Sequence, residues 1–325
     1  MATTDAEDVQ TATAKVHQFS IEMHTTAPVD SESGYRLKNE PNELQRPNVI
    51  DRTRGELSLV SDLTHVVHGT LTPGGAPATL MAFTFNFNGS QIQGRRFKDV
   101  IINIGFAHGN SPKTTVGSSP FDPEVLQISP DGEFCWNHTS VTGETMKGIT
   151  LSTGGLGGPM LAAMGFAPEL AVNWESITPT THEGQATMYG ARKVMGRNTG
   201  SKNSGRWIVR ENKLRRSGVP AQVTTAILVK PHPRSGGVFR AVVEVDAQVN
   251  VAFKIDEVAK RMVGKSIVDP VVFKHGLGPV GPVIKGLDVT NLGSVGEKGI
   301  LKRLGFVKVR LCGYTSVLVQ YTGLR

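Results

Sequence analysis

Only two of the 325 residues are cysteine, Cys135 and Cys312, and they lie far apart. They form no CxxC pair and no metal-ligand spacing, which excludes a cysteine-built metal site. A single long-range disulfide and two free buried thiols both fit the count, and the free thiols are the expectation. No GxSxG occurs anywhere, so the nucleophile elbow of the α/β-hydrolases is missing. No run approaches the roughly 18 apolar residues of a membrane helix. The first residues, Met-Ala-Thr-Thr-Asp-Ala-Glu-Asp, are acidic and lack an apolar stretch, so no signal peptide is predicted. Together these absences predict a soluble, cytoplasmic protein. In that compartment the sequons at Asn88 and Asn137 carry no meaning.

What is present points to an all-β chain. Hydrophobic residues make up 38% and charged residues 19%, values of a globular protein. The 37 Gly and 18 Pro predict frequent turns between runs rich in Val and Thr. Residues 79–87 are the clearest case, with Met81, Phe83, Phe85 and Phe87 alternating against Ala82, Thr84 and Asn86. Alternation with period two predicts a half-buried strand. Further strands are predicted at 57–70, 97–106, 124–129, 133–138, 169–177, 185–194, 207–210, 221–230 and 238–251. A terminal hairpin is predicted from 306–311 and 314–321, turning at Cys312-Gly313. Ile255, Val258, Ala259 and Met262 sit at helical spacing, so one short helix is expected near 255–263.

The predicted architecture is an antiparallel β-sandwich, either one large sandwich or two sandwich-like halves. Its divisions are a flexible acidic N-terminal arm (1–54), β-rich halves at 55–165 and 166–295, and a C-terminal hairpin or tail (296–325). Within the arm one short strand is expected near 16–21. The first 62 residues hold eleven acids against six bases. The Gly-rich stretch 154–168 reads as an inter-sheet crossover or an interaction loop.

The densest positive charge lies inside residues 173–230, which also hold Trp174 and Trp207. Nine basic residues fall between 192 and 216: Arg192, Lys193, Arg197, Lys202, Arg206, Arg210, Lys213, Arg215 and Arg216. The only acid among them is Glu211, a local charge of +8 against +7 for the whole chain. Two readings fit. The cluster is an anion-binding segment whose Arg forks and loop N–H groups meet phosphate. Otherwise it is a solvated hairpin whose charges protect an edge strand. Trp207 is expected in the core rather than as a stacking platform.

No catalytic constellation emerges, and no cofactor or metal is expected. Gly276-Leu-Gly-Pro-Val-Gly281 fits GxGxxG, but Pro279 and Pro282 oppose the helix that a dinucleotide site needs at that point. Gly264-Lys265-Ser266 lacks the first glycine of a P-loop, because residue 259 is Ala259. His65 and His68, three apart on a strand, fall on opposite faces and cannot share a metal.

Several stretches resemble, in shared order, an uncharacterised family of proteins from filamentous ascomycete fungi. They are Gly74-Gly-Ala-Pro-Ala-Thr-Leu80 with Phe83 and Phe85, Pro123-Glu-Val-Leu-Gln-Ile-Ser-Pro-Asp-Gly132, Val172-Asn-Trp-Glu175, and Gly196-Arg-Asn-Thr-Gly200 with Trp207. Glu211-Asn212 before Ser217-Gly-Val-Pro220, Asp269-Pro270-Val-Val-Phe273 and Asn291-Leu-Gly293 complete the set. The resemblance spans about 57–293 and implies an intracellular fungal protein. It implies no activity, and the tail from about 296 departs from the pattern.

The expected function is therefore non-enzymatic: a β-sandwich that binds a protein partner or associates with itself. The alternative is an anion binder, meeting nucleic acid or acidic membrane through 192–216. A hydrolase with an unrecognised site ranks last.

Overall fold

The structure, a computed structural model, describes residues 37–54, 57–89, 96–109, 116–147, 176–250, 268–311 and 314–319. Among them thirteen strands form two antiparallel sheets packed face to face. The first sheet runs β1 (Asn48–Arg54), β2 (Leu57–Thr70), β3 (Pro77–Asn88), β9 (Gln222–Lys230), β12 (Phe306–Leu311) and β13 (Tyr314–Val319). β5 (Glu124–Ser129) shares the far edge of β9 with β12. The second sheet runs β11 (Val271–Lys274), β10 (Val238–Asn250), β4 (Arg96–His108), β8 (Ser204–Arg210), β7 (Ser176–Lys193) and β6 (Gly132–Lys147).

The core between the sheets follows from the alternation. Met81, Phe83 and Phe85 on β3 face Ile102, Ile104 and Phe106 on β4, and all six are fully buried in one apolar cluster. The Phe239 and Phe273 rings stack 5.1 Å apart where β10 meets β11. Trp207 is buried as expected, and its Nε1–H donates to the Pro130 carbonyl at 2.8 Å. That bond satisfies the one polar atom of the indole, which is what makes so large a side chain tolerable in a core.

β3 is not half-buried. Its small residues are buried too, because Ala78, Leu80 and Ala82 join Ala226 and Leu228 of β9 under a second layer. That layer is Leu292 and Val295 on a 3-10 turn, then Ile300 and Leu301 on α1 (Ile300–Leu304). The alternation of large and small side chains marks a thick interface on one face and a thin one on the other, not a dry face and a wet one.

Strands from the two predicted halves interleave. The first sheet takes β9, and the second sheet takes β4 and β6, from across the boundary at 165/166. All described residues lie in one compact unit, Tyr35–Arg325. The described residues form one large sandwich. Part of the expected N-terminal arm also belongs to it, for β1 pairs with β2, and Gln45 N–H donates to Val272 O at 2.8 Å. Cys135 is exposed, not buried, because it shares the outward side of β6 with Glu133 while Trp136 points in. The predicted helix near 255–263, the strand near 16–21 and residues 169–175 of another strand lie outside the described residues. No helix among the described residues is long and apolar enough to cross a membrane.

Leu292 is fully buried in the outer layer. Leu292→Ala is expected to lower unfolding free energy by about 2–5 kcal/mol, the cost of a buried leucine cavity. Denaturant unfolding followed by tryptophan fluorescence checks it, and a loss under about 0.5 kcal/mol would mean the layer is loosely held.

Candidate functional site

The nine basic residues do not converge on one spot. β8 separates them, since its seven residues at roughly 3.3 Å each hold its two ends about 20 Å apart. Arg197 and Lys202 lie in the loop before β8, and Lys213, Arg215 and Arg216 lie in the loop after it. Arg192 points toward β5, where Nη1 donates to the Leu126 carbonyl. Arg210 approaches Asp99 at 3.8 Å on an exposed face, a pair that adds little to stability. Glu211, the lone acid, is buried and pairs with Arg96 through bonds of 2.7 and 3.2 Å.

A two-stranded ribbon leaves the second sheet beside that later loop. β7 is covered by β8 only over Thr187–Lys193, while β6 and β7 continue pairing from Thr139↔Gly184 to Lys147↔Ser176. Nine residue pairs at roughly 3.3 Å per residue give an extension of about 30 Å. Among the described residues neither arm pairs with anything else over that length.

The ribbon's root is a bulge. One extra residue enters β6 between Trp136 and Thr139, and Asn137 takes a positive φ of 55°. Bulges bend the strand and free carbonyls from the ladder. Asn212, fully buried, takes up that slack. Its Nδ2 donates to Asn137 O at 2.6 Å, Gly184 O at 3.0 Å and the Thr139 hydroxyl at 3.2 Å. Its Oδ1 accepts the N–H groups of Leu214 and Arg215 at 3.0 and 3.2 Å. One carboxamide therefore joins the ribbon's root to the turn bearing Lys213, Leu214, Arg215 and Arg216. Gly184 permits the closeness, since a Cβ there would lie 2.7 Å from Asn212 Oδ1.

At the opposite end of the sandwich three loops enclose a cleft of about 650 Å³. It is lined by residues 117–124 after β4, by 197–201 before β8, and by Lys230 through Pro233 after β9. These Gly-, Ser- and Pro-rich loops are tied together. Buried Asp122 accepts the His108 and Gly117 N–H groups at 2.9 and 2.8 Å. Arg197 donates to the carbonyls of Ser119 and Ser201 at 3.2 and 2.8 Å. Asn203 is fully buried and closes its own loop on the Met195 backbone with bonds of 2.7 and 3.0 Å. A Cβ on Gly196 would overlap the Val116 carbonyl, so the first two loops are in backbone contact. Only Arg197, of the nine basic residues, lines this cleft.

His68 and His275 meet edge to face, with ring centroids 5.4 Å apart. His68 Nδ1 is 2.9 Å from the Thr79 hydroxyl, and His275 Nε2 is 3.0 Å from the Gly69 carbonyl. Burial, and then the neighbouring His275, pull the His68 pKa down to about 4. The GxGxxG stretch is coil, held to β2 by reciprocal hydrogen bonds between Val66 and Val280. Among the described residues no three His, Cys, Asp or Glu side chains are grouped to hold a metal ion.

Sequence reasoning missed Asn212 as a structural hub and missed the cleft altogether. Glu211-Asn212 was visible only as part of a motif, and the cleft's three loops are distant in the chain. No family model matches this sequence, and no curated protein matches it. Solved structures that match include the Clostridium perfringens NetB toxin in its membrane-inserted form, at 9% identity and a TM-score of 0.19, covering 59% of this chain and 84% of that one. A geometric overlap that poor carries no argument about fold or function.

The His68 shift predicts a pH dependence of stability. A histidine with a folded pKa of about 4 and an ordinary value of 6.5 binds its proton more readily once unfolded. Its contribution is intact above pH 6.5 and is lost progressively as pH falls toward 4. The thermal midpoint is expected to drop across that window, and His68→Gln to flatten the drop. Equal slopes for both proteins would remove His68 as the cause.

Proposed function

We propose that the protein is a non-enzymatic β-sandwich that associates with copies of itself through the β6–β7 ribbon. The fungal, cytoplasmic setting expected from the sequence stands as part of that proposal. One observation carries the reading: nine residue pairs project past the sheet with both edges unpaired among the described residues. A lone two-stranded ribbon is marginal in water, and an open edge is a template for another strand. The β6 arm from Thr139 to Lys147 contains no proline, so its outward N–H and C=O groups run uninterrupted. The β7 arm holds Pro179. The arm best suited to pairing is therefore β6, and its partner is the ribbon of a second copy.

Sedimentation of the purified protein tests this. The expected result is a defined oligomer. Adjacent backbone N–H groups in a strand point to opposite edges, so one of Val141→Pro and Thr142→Pro removes an outward donor. That variant is expected to sediment as a monomer with an unchanged thermal midpoint. A wild-type protein that stays monomeric up to its solubility limit would overturn the reading.

A second reading is contact with an anionic membrane, and the turn after β8 favours it. Leu214 is 41% exposed between Lys213, Arg215 and Arg216, all held at the ribbon's root by Asn212. An exposed leucine among cations suits the headgroup region of a bilayer better than a nucleic-acid backbone. The ribbon's length of about 30 Å also equals the thickness of a hydrocarbon core. Between its arms, residues 148–168 contain no charged side chain. Three cations near an anionic surface contribute about 3 kcal/mol in all. Co-sedimentation with phosphatidylserine vesicles is expected to fall steeply with salt, and to weaken in Leu214→Ser and in Arg215→Ala with Arg216→Ala. Binding to duplex DNA in preference to vesicles would favour nucleic acid instead.

A further inference from the structure

We propose that the cleft opposite the ribbon binds a neutral saccharide. The argument begins with how rigid the cleft is. Loops of Gly, Ser and Pro order themselves only at an entropic cost. Here three buried or half-buried polar side chains, Asp122, Arg197 and Asn203, hold them in place. A binding site shaped before its ligand arrives avoids that cost on binding, and a volume of about 650 Å³ falls in the range of small-molecule sites.

The charges decide the ligand class. Arg197 commits both Nη atoms to backbone carbonyls, and both Asp122 oxygens accept backbone N–H groups. The two carry opposite charges, and each is turned to the backbone of the loops. Lys230 stands opposite Glu124 in the register of β9 and β5, so the remaining cation has a carboxylate beside it. The lining thus sets two cations, Arg197 and Lys230, against two acids, Asp122 and Glu124, and a phosphate would meet as much repulsion as attraction, poor recognition compared with a fork of arginines.

A polyol meets a better match. Lys230 donates, Glu124 accepts, and the hydroxyls of Thr199 and Ser201 do both. His232 Nδ1 accepts the Arg234 N–H at 3.2 Å, which places the ring's proton on Nε2 as a donor. The Phe121 ring packs 4.9 Å from the His232 ring and holds it in position. Pro120 and Pro231 supply apolar C–H surface. Donors, acceptors and apolar patches at close spacing are what the two faces of a pyranose present in return.

Saturation-transfer NMR of the full chain tests the assignment, using methyl α-mannoside, methyl β-galactoside, N-acetylglucosamine and lactose, with inorganic phosphate as the contrasting probe. At least one saccharide is expected to give a signal that is unchanged between low and high salt. Glu124→Gln should weaken it about tenfold, the loss of a charge-assisted hydrogen bond. Thr199 is exposed, so Thr199→Phe fills the cleft mouth without touching the core, and it should abolish the signal in a protein that melts normally. Silence from all four saccharides overturns the proposal. So does a saccharide signal that survives Thr199→Phe, or phosphate binding that displaces the saccharide.

Discussion

The burial of β3 and β9 on both faces is the constraint on which the rest depends. These neighbouring strands pair from Thr79↔Val229 to Asn86↔Gln222 and form the middle of the first sheet. Their inward side chains build the main core, and their outward ones need a second cover. The chain supplies it late, with residues 292–301, so the sheet is finished only when a segment distant in sequence folds back over it. Hydrophobic burial at this density favours the closed arrangement without any direction of its own. Direction comes from a few polar bonds, such as Trp207 to Pro130, that admit one packing.

Much of the fold was legible. The β3, β4, β9 and β10 patterns were strong because each places large apolar residues on every second position facing one core. Legibility failed where burial came from elsewhere. Alternation in β3 reads as dry against wet, and only the outer layer of Leu292 and Ile300 makes both faces dry. α1 has five residues and follows a glycine, so it has too little periodicity to register. Cys135 misleads for a related reason. Cysteine is usually buried, but here the pleat of an edge strand turns it outward.

The functional features were legible in part. The run of basic residues was plain in the sequence, but the strand within it, predicted at 207–210 and observed as β8, carries the charges to opposite ends. The cleft had no linear signature at all, because its loops follow β4, β7 and β9 and meet only once the sheets have formed. The ribbon was hidden for a different reason. Its Thr-rich arms fall almost wholly outside the strands predicted at 133–138, 169–177 and 185–194, and a strand's sequence does not say whether a neighbour covers it.

Asn212 has a mechanical consequence. The ribbon is a lever about 30 Å long, and its fulcrum is the bulge at Asn137. The side chain that braces the fulcrum also anchors the turn through which the chain passes from β8 in one sheet to β9 in the other. A load applied at the ribbon's far end is therefore delivered to the seam between the two sheets. Prying the lever away from its brace and loosening that seam are one motion, and Asn212 is the rivet that both must shear.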